Sequence, residues 1–495
     1  GLPSGHGRLS VAVAPSDPDV VVALLTNPCS ATGGGASAMG AFRSEDGGQT
    51  WASAGSVDQS SYGWYLSTVG IDPTTPTTVF YGGLEMRRYV NGSGSNVTPP
   101  HVDVHDVDWD ASGRLLVACD GGAFRSTDNG NSWTSLNTTL STIQFYAGIS
   151  THPADDEWFI SGAQDNGSNR RDTTGTGWTT VVGGDGGWTR VDQTRPSRVF
   201  AESQGTGNLY RSVNGGSNFN YVGGDLSGRN CFLPPYVLDP VDPDVMLYAT
   251  HRVHRSTDGG TSWSVHSGDL TNGSGAIRSL AIAPSDRAVV YAATNDGNVQ
   301  VSFDGGATFA MIRQGHAGWP RVTREIHVDS TDASTMYLAG ATFGVDQVLR
   351  TRDFGATWTS LDGDLPDVPV NVIATDDRYD PPTIFAGSDS GLWRSIDGGT
   401  HWARYGCGMP HAVVVDLAVE ADRNRVVVST QGRGAWLVAL RVPTDLNGDR
   451  VVDVFDVIAF LDLLESGDEG ADWNGDGRLD IFDVLSFLEA FDGGC

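Results

Sequence analysis

Short apolar runs alternate with turn-forming clusters along this chain, in an order that keeps returning. Arg8–Ala14 and Val20–Leu25 are two apolar runs joined by Pro15-Ser16-Asp17-Pro18. The same grammar returns at Ala281–Ser302, where Ala283-Pro284-Ser285-Asp286 is the turn and Val289–Ala293 and Val299–Val301 are the runs that follow. Runs this short, rich in β-branched residues and bounded by Pro, Asp and Gly, predict strands.

In most repeats the third run leads into a stretch of fixed chemistry. Ser256-Thr257-Asp258-Gly259-Gly260-Thr261-Ser262-Trp263 is its clearest form. Copies stand at Ser44–Trp51, Ser126–Trp133, Ser302–Phe309, Thr351–Trp358 and Ser395–Trp402, with a worn copy at Ser212–Phe219 carrying Asn214. The aspartate can accept hydrogen bonds from its own turn. The glycines permit positive φ. The aromatic anchors the outgoing strand in the core. The stretch reads as a structural staple, and its aspartates are not read as catalytic. It resembles the Asp-box of sialidases, sortilin-type receptors and xyloglucanase-like propellers.

Spacing then sets the architecture. The key positions 46, 128, 214, 258, 304, 353 and 397 are separated by 82, 86, 44, 46, 49 and 44 residues. The first two gaps are double, so two repeats lack a box, and the period predicts a β-propeller. Ten units begin near residues 8, 64, 103, 143, 187, 232, 277, 321, 370 and 413. The expectation is an all-β Asp-box propeller over residues 1–440. The count of ten, as in sortilin-type propellers, favours a single ten-bladed ring. Two smaller propellers, as in xyloglucanase-like enzymes, are the alternative. Gly162–Gly167, Gly183–Gly187, Asp269-Leu270-Thr271 and Gln431–Trp436 are similar to a bacterial family of secreted BNR-repeat proteins, a label that implies no activity.

The tenth unit ends at Leu440 without a box or an outer strand. Gly434, Ala435, Trp436, Leu437, Val438, Ala439 and Leu440 are therefore expected to form an open blade edge. Gly1–Gly7 is too short and glycine-rich to supply the missing strand. Such edges are normally covered, here by the tail of this chain, a neighbour's tail or a foreign strand.

After a linker at 441–444, residues 445–495 hold eleven Asp and three Glu against Arg450 and Arg478. Two segments repeat 27 residues apart and offer oxygen ligands at loop positions 1, 3, 5, 7, 9 and 12. The first set is Asp445, Asn447, Asp449, Val451, Asp453 and Asp456. The second is Asp472, Asn474, Asp476, Arg478, Asp480 and Asp483. Positions Val451 and Arg478 offer backbone carbonyls, and the sets suit two Ca²⁺ ions. Each loop runs into an amphipathic helix, predicted at Phe455–Leu464 and Phe482–Phe491. Aspartate at position 12 and the missing entering helix resemble type I dockerins, and Gly494-Cys495 resembles the tails of GC-type dockerin-like domains. Arg450 stands at position 6, where glycine is usual. Loop positions 10 and 11 are Val454, Phe455, Ile481 and Phe482 in place of the polar residues of cohesin-binding dockerins, so they mark a different docking surface.

A net charge of −29, with arginine as the sole basic residue besides histidine, argues against nucleic acid and anionic membrane as partners. Without lysine, Schiff-base chemistry is excluded. No apolar run approaches the ~18 residues of a membrane span. Cysteines 29, 119, 231, 407 and 495 show no metal-ligand spacing and allow one or two disulfides in an oxidising compartment. The start at Gly1 fits a secreted or cell-surface protein whose signal was removed.

For chemistry on the propeller, His101, Asp103, His105 and Asp106 form the densest polar cluster, with Asp165, Asn166 and Asp185 at corresponding ends of neighbouring repeats. Such a cluster suits a metal or a sugar, or simply satisfied turn polars. No sialidase arginine triad can be assigned, and no catalytic carboxylate pair stands out. The resulting expectation is a scaffold whose propeller recognises a glycan or protein and whose tail docks, in calcium, onto a protein partner or another copy of itself. The alternatives are an extracellular glycoside hydrolase and a subunit of an extracellular fibre or sheath.

Overall fold

A computed structural model describes residues 1–29, 36–57, 62–172, 177–314, 323–440 and 444–492. The linker positions 441–443 and the terminal Gly494-Cys495 lie outside the described residues. Ten antiparallel sheets follow one another along the chain, at residues 9–55, 68–96, 104–135, 150–182, 186–221, 236–265, 277–313, 323–360, 370–405 and 413–439. Nine have four strands in meander order and the tenth has three. Two compact units divide the chain, Gly1–Thr142 and Ile143–Cys495. The expected boundary after residue 440 therefore falls inside the second unit.

Seven boxes staple third strands to fourth strands in one way. In the first, Ser44 Oγ donates to Asp46 Oδ1 at 2.7 Å, and the Thr50 N–H and hydroxyl donate to the same carboxylate at 2.8 and 2.6 Å. Hydrogen bonding from Thr50 and Ser44 holds the Asp46 carboxyl down at about 2. The worn copy keeps the geometry, since the Asn218 N–H donates to Asn214 Oδ1 at 3.0 Å. The fourth strand starts one residue after the aromatic, because the ring turns back into the gap between sheets. Trp402, 7 % exposed, donates from Nε1 to the Leu361 carbonyl of the preceding sheet at 2.9 Å.

The first unit packs its three sheets in sequence. Val22, Leu24, Ile71 and Tyr81 are buried between the first and second, and Phe80, Val104, Leu115 and Phe124 between the second and third. The second unit closes on itself. Its last sheet, at 413–439, packs both on the preceding sheet and on the first sheet of the same unit, through Phe145, Ile149, Phe159, Val415 and Val427. Asp416 fixes the seam: its Oδ2 accepts the N–H groups of Gly148 and Ile149 at 2.5 and 2.6 Å. At the outer side Arg423 Nε meets Asp156 at 2.7 Å, and Arg425 Nη1 donates to the Asp156 carbonyl at 2.9 Å. The expected single ring of ten is therefore corrected. The tenth sheet meets the fourth, which makes a closed ring of seven, and three sheets form a separate unit. Repeat counting could not see this, since nothing in a repeat says which neighbour it closes against.

The strand Ala435–Ala439 pairs only with Arg425–Gln431, so no fourth strand covers it among the described residues. Tyr405 blunts part of that edge by donating its hydroxyl to the carbonyls of Ala439 and Leu440 at 2.7 and 3.2 Å.

Helices α1 (Val454–Ser466) and α2 (Ile481–Asp492) form the tail. Their core is small: Phe460 stacks on Phe487 with centroids 4.3 Å apart, and Trp473 meets both edge-on.

Candidate functional site

The two loops of the tail are shaped by the same hydrogen bonds. In the first, Asp456 accepts the Asn447 N–H on one carboxylate oxygen at 3.1 Å and the Asp453 N–H on the other at 2.9 Å. In the second, Asp483 accepts those of Asn474 at 3.2 Å and Asp480 at 2.9 Å. Asn447 and Asn474 accept from the Asp449 and Asp476 N–H groups at 2.8 and 2.9 Å, and Asp449 and Asp476 from Val451 and Arg478 at 2.8 and 2.9 Å. Asp453 and Asp480 cap the helices by accepting from Phe455 and Phe482, both at 2.8 Å. Asp456 and Asp483 are fully buried, with Asp445 Oδ1 also buried and without a hydrogen-bond partner. Burial raises the Asp445 carboxyl above the usual range, and Asp456 and Asp449 add to this. In the first loop a buried carboxylate and a neighbouring orphaned carboxylate oxygen make an environment that a hard divalent cation would complete.

Arg450 explains its own departure from the loop pattern. It takes the left-handed conformation, φ 72°, as Gly477 does at φ 79° in the second loop. Its guanidinium lies over the Tyr379 ring at 4.3 Å and donates to Thr383 Oγ1 at 2.9 Å, while its carbonyl accepts from Arg394 Nη2 at 2.9 Å. The side chain that strains the loop thus anchors it to the ninth sheet.

The outer faces of both helices are apolar. Val454, Phe455, Ile481 and Phe482 are 60, 60, 60 and 61 % exposed. Ile458 and Leu461 continue the first row and Leu485 and Leu488 the second, all exposed at the same helical offsets. Exposed apolar rows of this kind are enriched at interaction surfaces.

The polar residues singled out on the propeller do not form one constellation within either unit. In the first unit, His105 Nε2 sits 2.7 Å from Asp120 Oδ1, Asp106 accepts the N–H of Val107, and Asp103 has φ 61°. His101 packs against Gly121, leaving no room for a Cβ there. In the second unit, the Asp165 N–H donates to Asp185 Oδ1 at 2.9 Å and the Asn166 amide to the Gln164 carbonyl at 2.9 Å. Burial raises the Asp185 carboxyl, opposed by the hydrogen bond from the Asp165 N–H. Sequence reasoning missed Asp120, which no box or motif flags.

It also missed the lining of the seven-sheet ring. A cavity of about 550 Å³ is bounded by inner strands of six of its sheets, with Arg190, Glu325, His327 and Asp416 among the lining residues. Burial pushes the Glu325 carboxyl well up, Asp416 adds to this, and Arg190 opposes it. His327 is lowered by burial and lies 2.7 Å from Thr375 Oγ1. Asp416 is committed to the seam, so this lining offers balanced charge rather than a free acid–base pair.

No protein-family model and no curated protein sequence matches the chain. Among solved structures, YCF48 from Cyanidioschyzon merolae is similar at 14 % identity and TM-score 0.47, covering 62 % of this chain and 98 % of its own. The GH74 xyloglucanase from Xanthomonas campestris is similar at 16 % identity and TM-score 0.30, over 88 % of this chain and 91 % of its own. The extracellular domain of a one component system from B. thetaiotaomicron is similar at 11 % identity and TM-score 0.43, over 87 % and 69 %. No ligand or activity is carried over from likenesses this distant. No described helix is long and apolar enough to cross a membrane.

Proposed function

We propose that the chain is an extracellular or cell-surface scaffold protein. Its propeller units recognise a glycan or protein, and its tail folds around two Ca²⁺ ions to dock a protein partner. The observation that carries this is the duplication: two loops with matching hydrogen bonds, each leading into a helix whose exposed face is apolar at the same offsets. Asp445, Asn447, Asp449, Asp453 and Asp456 with the Val451 carbonyl would hold one ion. Asp472, Asn474, Asp476, Asp480 and Asp483 with the Arg478 carbonyl would hold the other. The ions supply charge neutralisation, and the chain supplies the cage and the docking face. With 14 acidic against 2 basic residues in 445–495, a second tail would be repelled at this face. A partner with an apolar centre and a basic rim fits it better.

Limited proteolysis in calcium and in chelator tests this reading. Chelation is expected to open residues 445–492 to cleavage while both propeller units persist. Equal digestion under the two conditions contradicts the calcium reading. Replacing Phe455 and Phe482 by Ser should lower binding of a hydrophobic dye to the calcium-loaded chain, and an unchanged signal contradicts the docking face.

A further inference from the structure

Within the first unit, the segment between the first and second sheets presents three aromatic side chains to solvent. Tyr62, Trp64 and Tyr65 are 52, 43 and 47 % exposed. Exposed rings on a loose loop would mean little, but this segment is held. Gly63 is buried against the first sheet so closely that a Cβ would stand 2.3 Å from the Ala36 carbonyl oxygen and 2.7 Å from Thr26 Cγ2. Leu66 is buried, at 3 % exposed. The Tyr62 carbonyl accepts the N–H groups of Tyr65 and Leu66 at 2.9 and 2.7 Å, and Arg8 Nη1 donates to the Tyr65 carbonyl at 2.5 Å. With Gly63 and Leu66 turned in, the three rings are turned out and fixed.

The rings continue into a polar pair. Trp64 and Tyr65 have centroids 5.5 Å apart, and Tyr65 meets the His105 ring edge-on at 5.0 Å. His105 Nε2 is 2.7 Å from Asp120 Oδ1, with the side chains 31 and 20 % exposed. Trp64 and Tyr65 thus make an exposed aromatic shelf ending in a half-buried imidazole–carboxylate pair, with the exposed Tyr62 ring two residues before Trp64 in the chain. Rigid aromatic rings supply large contact area at little entropic cost, and a few convergent polar groups fix orientation.

We infer that Tyr62, Trp64 and Tyr65, with His105 and Asp120, form a binding site for a neutral polysaccharide. This rests on the reading of the propeller as a recognition module and names the ligand class and the site. A pyranose ring has an apolar C–H face that stacks on an aromatic shelf and hydroxyl edges that hydrogen-bond to a carboxylate and an imidazole. Charge selects the uncharged class: the chain carries −29, and the pair at the end of the shelf adds a carboxylate, so a polyanionic glycan is repelled. Rings that are tilted and half exposed, rather than closed around a centre, suit an extended chain lying across them.

Affinity electrophoresis of the full chain tests this, in gels containing galactomannan, mixed-linkage β-glucan or polygalacturonate. Retardation is expected with at least one neutral polymer and not with polygalacturonate. Trp64→Ala and Tyr65→Ala should each weaken retention at least tenfold, Trp64→Phe should keep most of it, and thermal unfolding should be unchanged. Retention by a neutral polymer that survives both alanine substitutions overturns the site while leaving glycan recognition standing. Retention by polygalacturonate alone overturns the charge argument. No retention by any polymer overturns the inference and leaves protein as the propeller's ligand, with the calcium tail unaffected.

Discussion

The two loops of the tail share every side-chain oxygen position and part most sharply at position 6 and in the contacts made there. Position 6 is Arg450 in the first and Gly477 in the second, and both sit in left-handed backbone. Around Gly477 nothing stands within 4 Å of where a Cβ would be, whereas Arg450 reaches Tyr379 and Thr383 on the ninth sheet. Left-handed backbone costs a non-glycine residue about 1–2 kcal/mol, and the anchor offsets it through a cation–π contact of about 0.5–2 kcal/mol and two hydrogen bonds. A departure from a loop pattern thus need not be a decayed site. Here it fixes the loop's place on its own propeller and leaves the helix faces outward.

The largest expected effect removes what the loops share. Asp456→Ala and Asp483→Ala should each abolish one calcium site, weakening it about 100-fold or more, which is roughly 2.8 kcal/mol at 1.4 kcal/mol per tenfold. Titration calorimetry would read one remaining site in each single variant. If either substitution leaves both sites intact, the loops are not equivalent.

Next comes the ring to which the first loop is anchored. Asp416→Ala strips two buried N–H groups of their acceptor and should destabilise the seven-sheet ring by about 2–4 kcal/mol. Denaturant unfolding would show it, while calcium uptake should be unaltered. An unchanged midpoint would mean that the seam does not depend on Asp416.

Acid should separate the loops from the staples. The box carboxyls of Asp46, Asp128, Asp258 and Asp397 are held at about 2 by hydrogen bonds within each box. Groups depressed in the folded state stabilise it fully above the ordinary carboxylate range, and that contribution is lost as pH falls from about 4 to about 2. Sheet stability followed by circular dichroism in chelator should therefore fall across that interval, independently of the tail. A transition complete above pH 4 would contradict the staple account.

The smallest effect is the sharpest on the comparison. Arg450→Gly relieves the strained backbone but removes the anchor, so calcium affinity at the first loop should change less than tenfold. Amide exchange at the contact strand Thr383–Ser388 and in α1 should instead accelerate, and Tyr379→Ala should do the same. If Arg450→Gly leaves exchange untouched, the contact holds nothing.

Much of this was legible in the sequence, for physical reasons that also mark the limit. The boxes at Asp46 to Asp397 marked seven of the ten sheets because each carries its own hydrogen-bond set locally, and their spacing with the apolar runs marked the other three. Asp445 to Asp483 fixed two loops and two helices for the same reason. Ring closure was not legible, because Asp416 and Gly148 meet across 268 residues through a contact no repeat encodes. The anchoring role of Arg450 was not legible either, since its partner Tyr379 lies on a different element. The aromatic shelf went unseen because Tyr62, Trp64 and Tyr65 resemble core residues of a strand until Gly63 and Leu66 are found turned inward.

We propose that the tail is a two-ion module whose fold depends on calcium while its first loop rests on the propeller. Hydrogen exchange of the full chain, with calcium and with chelator, tests it most directly. The account predicts that calcium protects α1, α2 and both loops, that chelation removes this protection, and that the propeller sheets exchange alike in both. Equal exchange of residues 445–492 with and without calcium would contradict it.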